Sequence, residues 1–136
     1  MKTLIIYYSY SGNTRKIAEA TAEAESADIL EVKPPRNPGK FKAYFIGCPA
    51  SIMGKSWKIQ PLDVDLSSYE KIIIMSPIWA GGLTPYINAI LEQLPEGKAV
   101  YIKLISGSGK SDCRDRLETK IRSKGCRLED IEDIKA

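Results

Sequence analysis

The sequence predicts a doubly wound α/β fold, with five short parallel strands in one sheet and helices on both faces. Three observations point there. Apolar, β-prone runs at Leu4–Tyr8, Lys71–Ser76 and Ala99–Ser106 alternate with segments whose apolar residues recur at helical spacing. The run Lys71–Ser76, KIIIMS, is continuously apolar, as expected of a strand buried on both faces of a parallel sheet. Strand then helix, repeated to a last strand, implies right-handed crossovers. A chain of 136 residues with 43% hydrophobic and 27% charged residues suits one domain over residues 1–136 with a normal core.

Taken in order, Leu4-Ile5-Ile6-Tyr7-Tyr8 makes the first strand and stops at the polar turn Ser9–Thr14. Helical spacing starts at Asn13 or Thr14 and runs to Glu25, with Ile17, Thr21 and Ala24 facing inward and Arg15, Lys16, Glu19 and Glu23 outward. A short second strand, Asp28–Val32, ends at Lys33-Pro34-Pro35, because proline cannot continue a ladder; this marks an edge strand. Phe41, Tyr44, Phe45 and Cys48 predict a helix over Gly39–Cys48, broken by Pro49 and Gly54. Trp57, Ile59, Pro61 and Leu62 read as a loop laid against the body, with Trp57 as a core plug.

The third strand, Lys71–Ser76, leads into the loop Pro77–Leu83. A helix follows with Thr84 as N-cap, Pro85 in its first turn and Ile87, Ile90, Leu91 and Leu94 on one stripe, closed by Pro95 and Gly97. Ala99–Ser106 is the fourth strand. Its alternation of Val100, Ile102 and Leu104 with Tyr101 and Lys103 predicts one apolar face and one partly wet face. The turn Ser106–Gly109 precedes a helix expected from Ser111, with Asp112 in its first turn, Leu117 and Ile121 buried, and Gly125 as its left-handed stop. Cys126–Ile131 forms the fifth strand, and Glu129, Asp130, Glu132 and Asp133 crowd the end of the chain.

Composition removes several kinds of chemistry. No histidine is present, so the commonest general base and the Ser/His and Cys/His nucleophile pairs are missing. Cys48, Cys113 and Cys126 are odd in number and far apart, which argues against a metal site or a CxxC redox pair and for buried thiols. Neither a long apolar run nor a signal-peptide pattern occurs, so a cytoplasmic location and no membrane partner are expected. The net charge of +3 is mild; Lys33, Arg36, Lys40, Lys42, Lys55 and Lys58 lie in a stretch without Asp or Glu. Those cations read as solvated surface, and no nucleic-acid partner is expected.

The turn after the first strand is the main functional signal. The first amides of a helix have no intrahelical partners, and with the positive end of the helix dipole they suit phosphate. Ser9, Ser11 and Thr14 add hydroxyl donors, and Gly12 allows close approach or positive φ. The turn itself holds no Lys or Arg, and the lysine of nucleoside triphosphate loops is missing, so a phosphate monoester fits best. A plain capped helix start would look the same in isolation.

The pattern Ser9-Tyr10-Ser11-Gly12-Asn13-Thr14 resembles the FMN phosphate loop of the flavodoxin family, [ST]-x-[ST]-G-x-T, with Tyr10 and Asn13 in its variable places. Ser76-Pro77-Ile78-Trp79-Ala80-Gly81 is similar to that family's second flavin loop, [ST]-P-[VI]-W-x-G. The resemblance implies that Trp79 stacks on the isoalloxazine ring, that Gly81 and Gly82 let a peptide unit reorient beside it, and that Ser106, Gly107, Ser108 and Gly109 offer amides to its polar edge. It also implies strand order 2-1-3-4-5, with the ligand at the switch between the first and third strands. Two departures stand out. The family normally ends on a helix after the fifth strand, which is not expected in this chain, so one flank of the sheet is expected to be solvated or covered in a homodimer. The chain is also slightly basic where small electron-carrier flavodoxins are strongly acidic.

The resemblance therefore implies an FMN redox protein that carries electrons to a partner protein or reduces a small acceptor such as a quinone from a nicotinamide donor. The alternative is a non-catalytic interaction module on the same fold. Receiver domains need Asp at the first and third strand ends, where Ser9 and Ser76 stand; cysteine-dependent phosphatases and phosphotransfer domains need a Cys after the first strand, and none precedes Cys48.

Overall fold

Residues 2–9, 12–33, 59, 62, 64–79, 82–109, 111 and 113–135 are described by a computed structural model. They form strands β1 (Thr3–Tyr7), β2 (Asp28–Glu31), β3 (Lys71–Trp79), β4 (Gly82–Leu83), β5 (Ala99–Ser106) and β6 (Arg127–Lys135). The helices are α1 (Asn13–Glu25), α2 (Pro85–Gln93) and α3 (Arg114–Ser123), with a 3₁₀ turn at Leu66–Ser68. β2, β1, β3, β5 and β6 lie side by side in that order, all parallel, so the five long strands run 2-1-3-4-5 in chain order. This is the predicted doubly wound topology.

Hydrophobic burial is split by the sheet. Leu4, Ile6, Ile72, Ile74, Val100, Ile102 and Leu104 face α2 and α3. Ile5, Tyr7, Ile73, Met75 and Ile105 face the other way, where Ala18 of α1 packs. Residues 72–76 of β3 are all buried, as a central strand covered on both faces requires. Ile59 and Leu62 pack against the α2/α3 side, as the loop reading anticipated. The expected helix Gly39–Cys48, and Trp57, lie outside the described residues.

Element limits differ from the sequence reading in instructive ways. On α1 the buried positions are Thr14 and Ala18; Ile17 and Thr21 are half-buried, and Ala24 is exposed. β3 runs three residues beyond Ser76, through Pro77 to Trp79. Proline is tolerated because β1 makes its last register pair at Tyr7–Met75, and Pro77 is paired with Ile105 of β5. Pro77, Ile78 and Trp79 are therefore strand residues rather than loop, and the chain turns back as β4, pairing Trp79 with Gly82 and Ile78 with Leu83. α3 begins at Arg114, three residues after Ser111, because the Ser111 hydroxyl bonds Asp133 instead of capping the helix. β6 continues to Lys135, with an extra residue between Leu128 and Asp130 opposite Val100 and Tyr101.

Candidate functional site

Because the long strands are parallel, the ends of β1, β3 and β5 open on one edge of the sheet, and the strand order reverses between β1 and β3. The predicted stretches 9–14, 77–82 and 106–109 all leave from that edge. Among them Tyr10, Ser11, Ala80 and Gly81 lie outside the described residues. A surface hollow lined by Leu62, Val64, Asp65, Leu66, Ser67, Gln93 and Pro95 sits at the opposite edge, before β3 and β5 begin.

The first turn is built on Gly12. It is the N-cap of α1 with φ 97°, a left-handed backbone that L side chains rarely adopt. Its own N–H donates to Ser9 Oγ at 2.9 Å, and its carbonyl accepts from Lys16 N–H at 3.2 Å. The Ser9 hydroxyl, serving as acceptor, keeps its proton for donation. No side chain of Gly12 exists to cap the helix, so the amides of Asn13, Thr14 and Arg15 begin α1 without a side-chain cap. Thr14 is buried at 2% exposure and Asn13 is exposed.

The nearest described cation is diverted. Arg15 pairs with Glu31 of β2, and this contact, with a hydrogen bond to Tyr7, raises its pKa further above the usual range. Tyr7 is held above its usual pKa mainly by burial, with the Arg15 bond acting in the opposite sense. The turn thus presents neutral donors while its adjoining guanidinium is committed to the β1–α1–β2 junction. Sequence spacing did not reveal this cluster, because it joins three elements.

The second stretch is anchored from beneath. Ser76, completely buried, donates its hydroxyl to the Pro77 carbonyl at 2.8 Å and accepts the Thr84 N–H at 3.3 Å. Thr84 Oγ1 in turn accepts from Ile87 N–H at 3.3 Å and caps α2 as predicted. These bonds tie the end of β3 to the start of α2 around the β3–β4 turn. Tyr86, in the first turn of α2, is buried and tilts against Tyr8 at 4.9 Å between ring centroids; burial raises its pKa.

The third stretch repeats the device of the first. Gly109, with φ 71°, donates its N–H to Ser106 Oγ at 3.0 Å, as Gly12 does to Ser9. Both turns read Ser-x-x-Gly, a signal visible in the sequence only once the two are set side by side. Gly107 and Ser108 are exposed between them.

Among the described residues no group of His, Cys, Asp and Glu can hold a metal ion, and Cys113 and Cys126 are buried and not joined in a disulfide; Cys48 lies outside them. No helix of the described residues is long and apolar enough to cross a membrane.

Comparison with known proteins adds to this geometry. No protein-family model matches the chain. No curated protein matches it either. Among solved structures, it is similar to a flavoprotein from Lactobacillus acidophilus NCFM in complex with FMN, at 27% identity over 96% of this chain and 91% of that one, with a TM-score of 0.79. A flavodoxin of Streptococcus pneumonia TIGR4 aligns over 100% of this chain and 87% of its own, at 16% identity and a TM-score of 0.58. An NADPH-quinone reductase of P. pentosaceus aligns over 96% and 83%, at 14% identity and a TM-score of 0.61. The last two likenesses show the fold alone. The resemblance to flavodoxin-like proteins drawn from two loops is borne out, and the cofactor it implied is the one bound in the L. acidophilus protein.

Proposed function

From its place among the flavodoxin-like proteins, we propose that this chain binds FMN at the carboxyl edge of its sheet and works as a redox protein, passing electrons to a partner protein or reducing a small acceptor such as a quinone. The observation that carries this reading is the Gly12 turn, pinned by Ser9 at the head of α1 on the topological switch point. Its donor set fits a phosphate monoester: amides at a helix start, short hydroxyls, and no free cation in the turn.

Ser9, Tyr10, Ser11, Gly12, Asn13 and Thr14 hold the phosphate in this reading. Pro77, Ile78, Trp79, Ala80, Gly81 and Gly82 lie along the ring, and Ser106, Gly107, Ser108 and Gly109 meet its polar edge. FMN supplies the electron chemistry when bound, and the chain tunes it by hydrogen bonding and by excluding water. With no histidine in the chain, no imidazole takes part in proton movement. The electron donor is a nicotinamide in the quinone-reducing variant, and the compartment is the cytoplasm.

The test is an FMN titration followed by visible absorbance and by melting temperature. A ligand that binds only the folded chain stabilises it by about 2.7 kcal/mol at a hundred times its Kd. Saturable binding with a raised melting temperature, weakened in Thr14→Ala and in Trp79→Ala, is the expected result. Absence of binding at high micromolar FMN moves the chain to the interaction-module reading.

A further inference from the structure

From Gly109 to the first residue of α3 the chain meets β6 at three positions spaced by two, by one close approach and two hydrogen bonds. Gly109 stands against Lys135, so close that a Cβ on Gly109 would lie 3.0 Å from the Lys135 Cβ. Ser111 Oγ donates to Asp133 Oδ1 at 2.6 Å. Arg114 Nη2 donates to the Ile131 carbonyl at 2.9 Å. Along a strand, residues 131, 133 and 135 share one face, and Ile131 roots that face in the core beside α3. The connection is thus zipped down the last strand toward the turn that Ser106 closes.

The middle rung breaks a local rule. Ser111 is the residue that sequence nominates to start α3, yet its hydroxyl goes to Asp133, and α3 begins at Arg114 without a side-chain cap. A helix that forgoes its cap for a bond to the last strand marks a place where something other than local stability sets the arrangement. A hydroxyl on a carboxylate is also among the stronger bonds available, which suits a pin rather than a casual contact.

We propose that Asp133 is a positioning residue: through Ser111 it fixes the turn Ser106–Gly109, and so sets that turn's amides for the ring end of the flavin. The inference rests on the FMN reading above. It assigns β6, the last strand of the sheet, a part in ligand recognition.

FMN and riboflavin, titrated into the full chain by flavin fluorescence, separate the two ends of the ligand. Asp133→Ala weakens both by the same factor, about three- to tenfold for one lost hydrogen bond. Thr14→Ala weakens FMN alone. Asp133→Asn, which keeps an acceptor for Ser111, restores most of the affinity, and a purely structural defect would not show this pattern. Ser111→Ala reproduces Asp133→Ala and carries the test if Asp133→Ala does not fold. A wild-type chain that binds neither flavin overturns the FMN reading and this inference together. Wild-type binding with both variants unchanged, with loss confined to FMN, or with no rescue by Asp133→Asn overturns the role of Asp133 while leaving the FMN reading in place.

Discussion

Alanine at Gly12 and at Gly109 separates backbone strain from crowding in the two turns of the proposed site. Gly12 has φ 97°, and a Cβ built there meets nothing within 4 Å. The whole cost of Gly12→Ala is therefore conformational, about 1–2 kcal/mol for an L residue held in left-handed backbone. Gly109 has φ 71° and carries the same strain, but its Cβ would also stand 3.0 Å from the Cβ of Lys135, which is not the far end of a flexible side chain. That contact adds roughly 1 kcal/mol, the low end of overpacking, because Lys135 lies at an exposed strand end. Gly12→Asn should keep much of the stability, since Asn tolerates the left-handed region better than Ala. Urea unfolding of the flavin-free variants measures all three through the midpoint at constant slope. In melting temperature the spread is about 4 °C per kcal/mol for a domain of this size. The expected order of stability is wild type, Gly12→Asn, Gly12→Ala, Gly109→Ala. An unchanged midpoint for Gly12→Ala would refute the left-handed turn and, with it, the Ser9–Gly12 pin on which the phosphate reading depends.

Two further outcomes follow from the same geometry. Thr84→Ala should lose about 0.5–2 kcal/mol in the same unfolding assay, because a buried N-cap hydroxyl accepts the Ile87 amide, whereas Thr84→Ser keeps that bond and most of the stability. Stability should fall as pH rises past about 10: Tyr7 and Tyr86 are raised above the usual 10.0 chiefly by burial, and Tyr69 by its hydrogen bond to Asp28. The folded chain then keeps phenolic protons that the unfolded chain releases, so the contribution is complete below the unfolded pKa and lost through the folded ones. Urea midpoints at pH 9 and 11 check this, and Tyr86→Phe should flatten the decline.

What the sequence disclosed and what it hid divide along the distance of the interactions. β5 and the start of α2 were legible to the residue, because apolar alternation and a Thr-Pro cap are local signals. β3 ran past Pro77, and proline is a stop signal only where a neighbouring strand needs its amide; loss of β1 as a partner beyond Met75 is not written locally. β6 kept going through Glu132 and Asp133 because an edge strand exposes alternate residues to water, so acidic residues there do not end it. The Ser111 diversion, the Arg15–Glu31–Tyr7 cluster and the Tyr8–Tyr86 pair each join elements that are distant in sequence or order. They became visible only with the fold. The two Ser-x-x-Gly turns are the exception, since their residues were in hand and only their common geometry was not.

Beyond α1, no helix among the described residues covers the face of the sheet on which α1 packs. Ala18 of α1 covers Ile5, Tyr7, Ile73 and Met75, whereas over β5 and β6 the same face carries Tyr101, Lys103 and Glu132. Lys71 lies over the Tyr101 ring at 4.5 Å and reaches Glu25 Oε1 at 2.9 Å; Lys103 reaches Glu132 Oε1 at 3.1 Å. Exposed ion pairs of this kind are each worth at most about 1 kcal/mol, so their charges do not hold the face together. Both lysine side chains keep only 23% exposure, as long side chains do whose stems lie on apolar surface while the charged heads pair, and Ile73, Met75 and Ile105 on the same face are buried. Lys103 keeps 23% of its side chain exposed, in accord with the half-wet face read from the alternation of β5. A second copy docked on this flank would have to strip water from both ion pairs, a desolvation that such pairs repay poorly. Desolvation therefore weighs against a dimer closed across these two ion pairs.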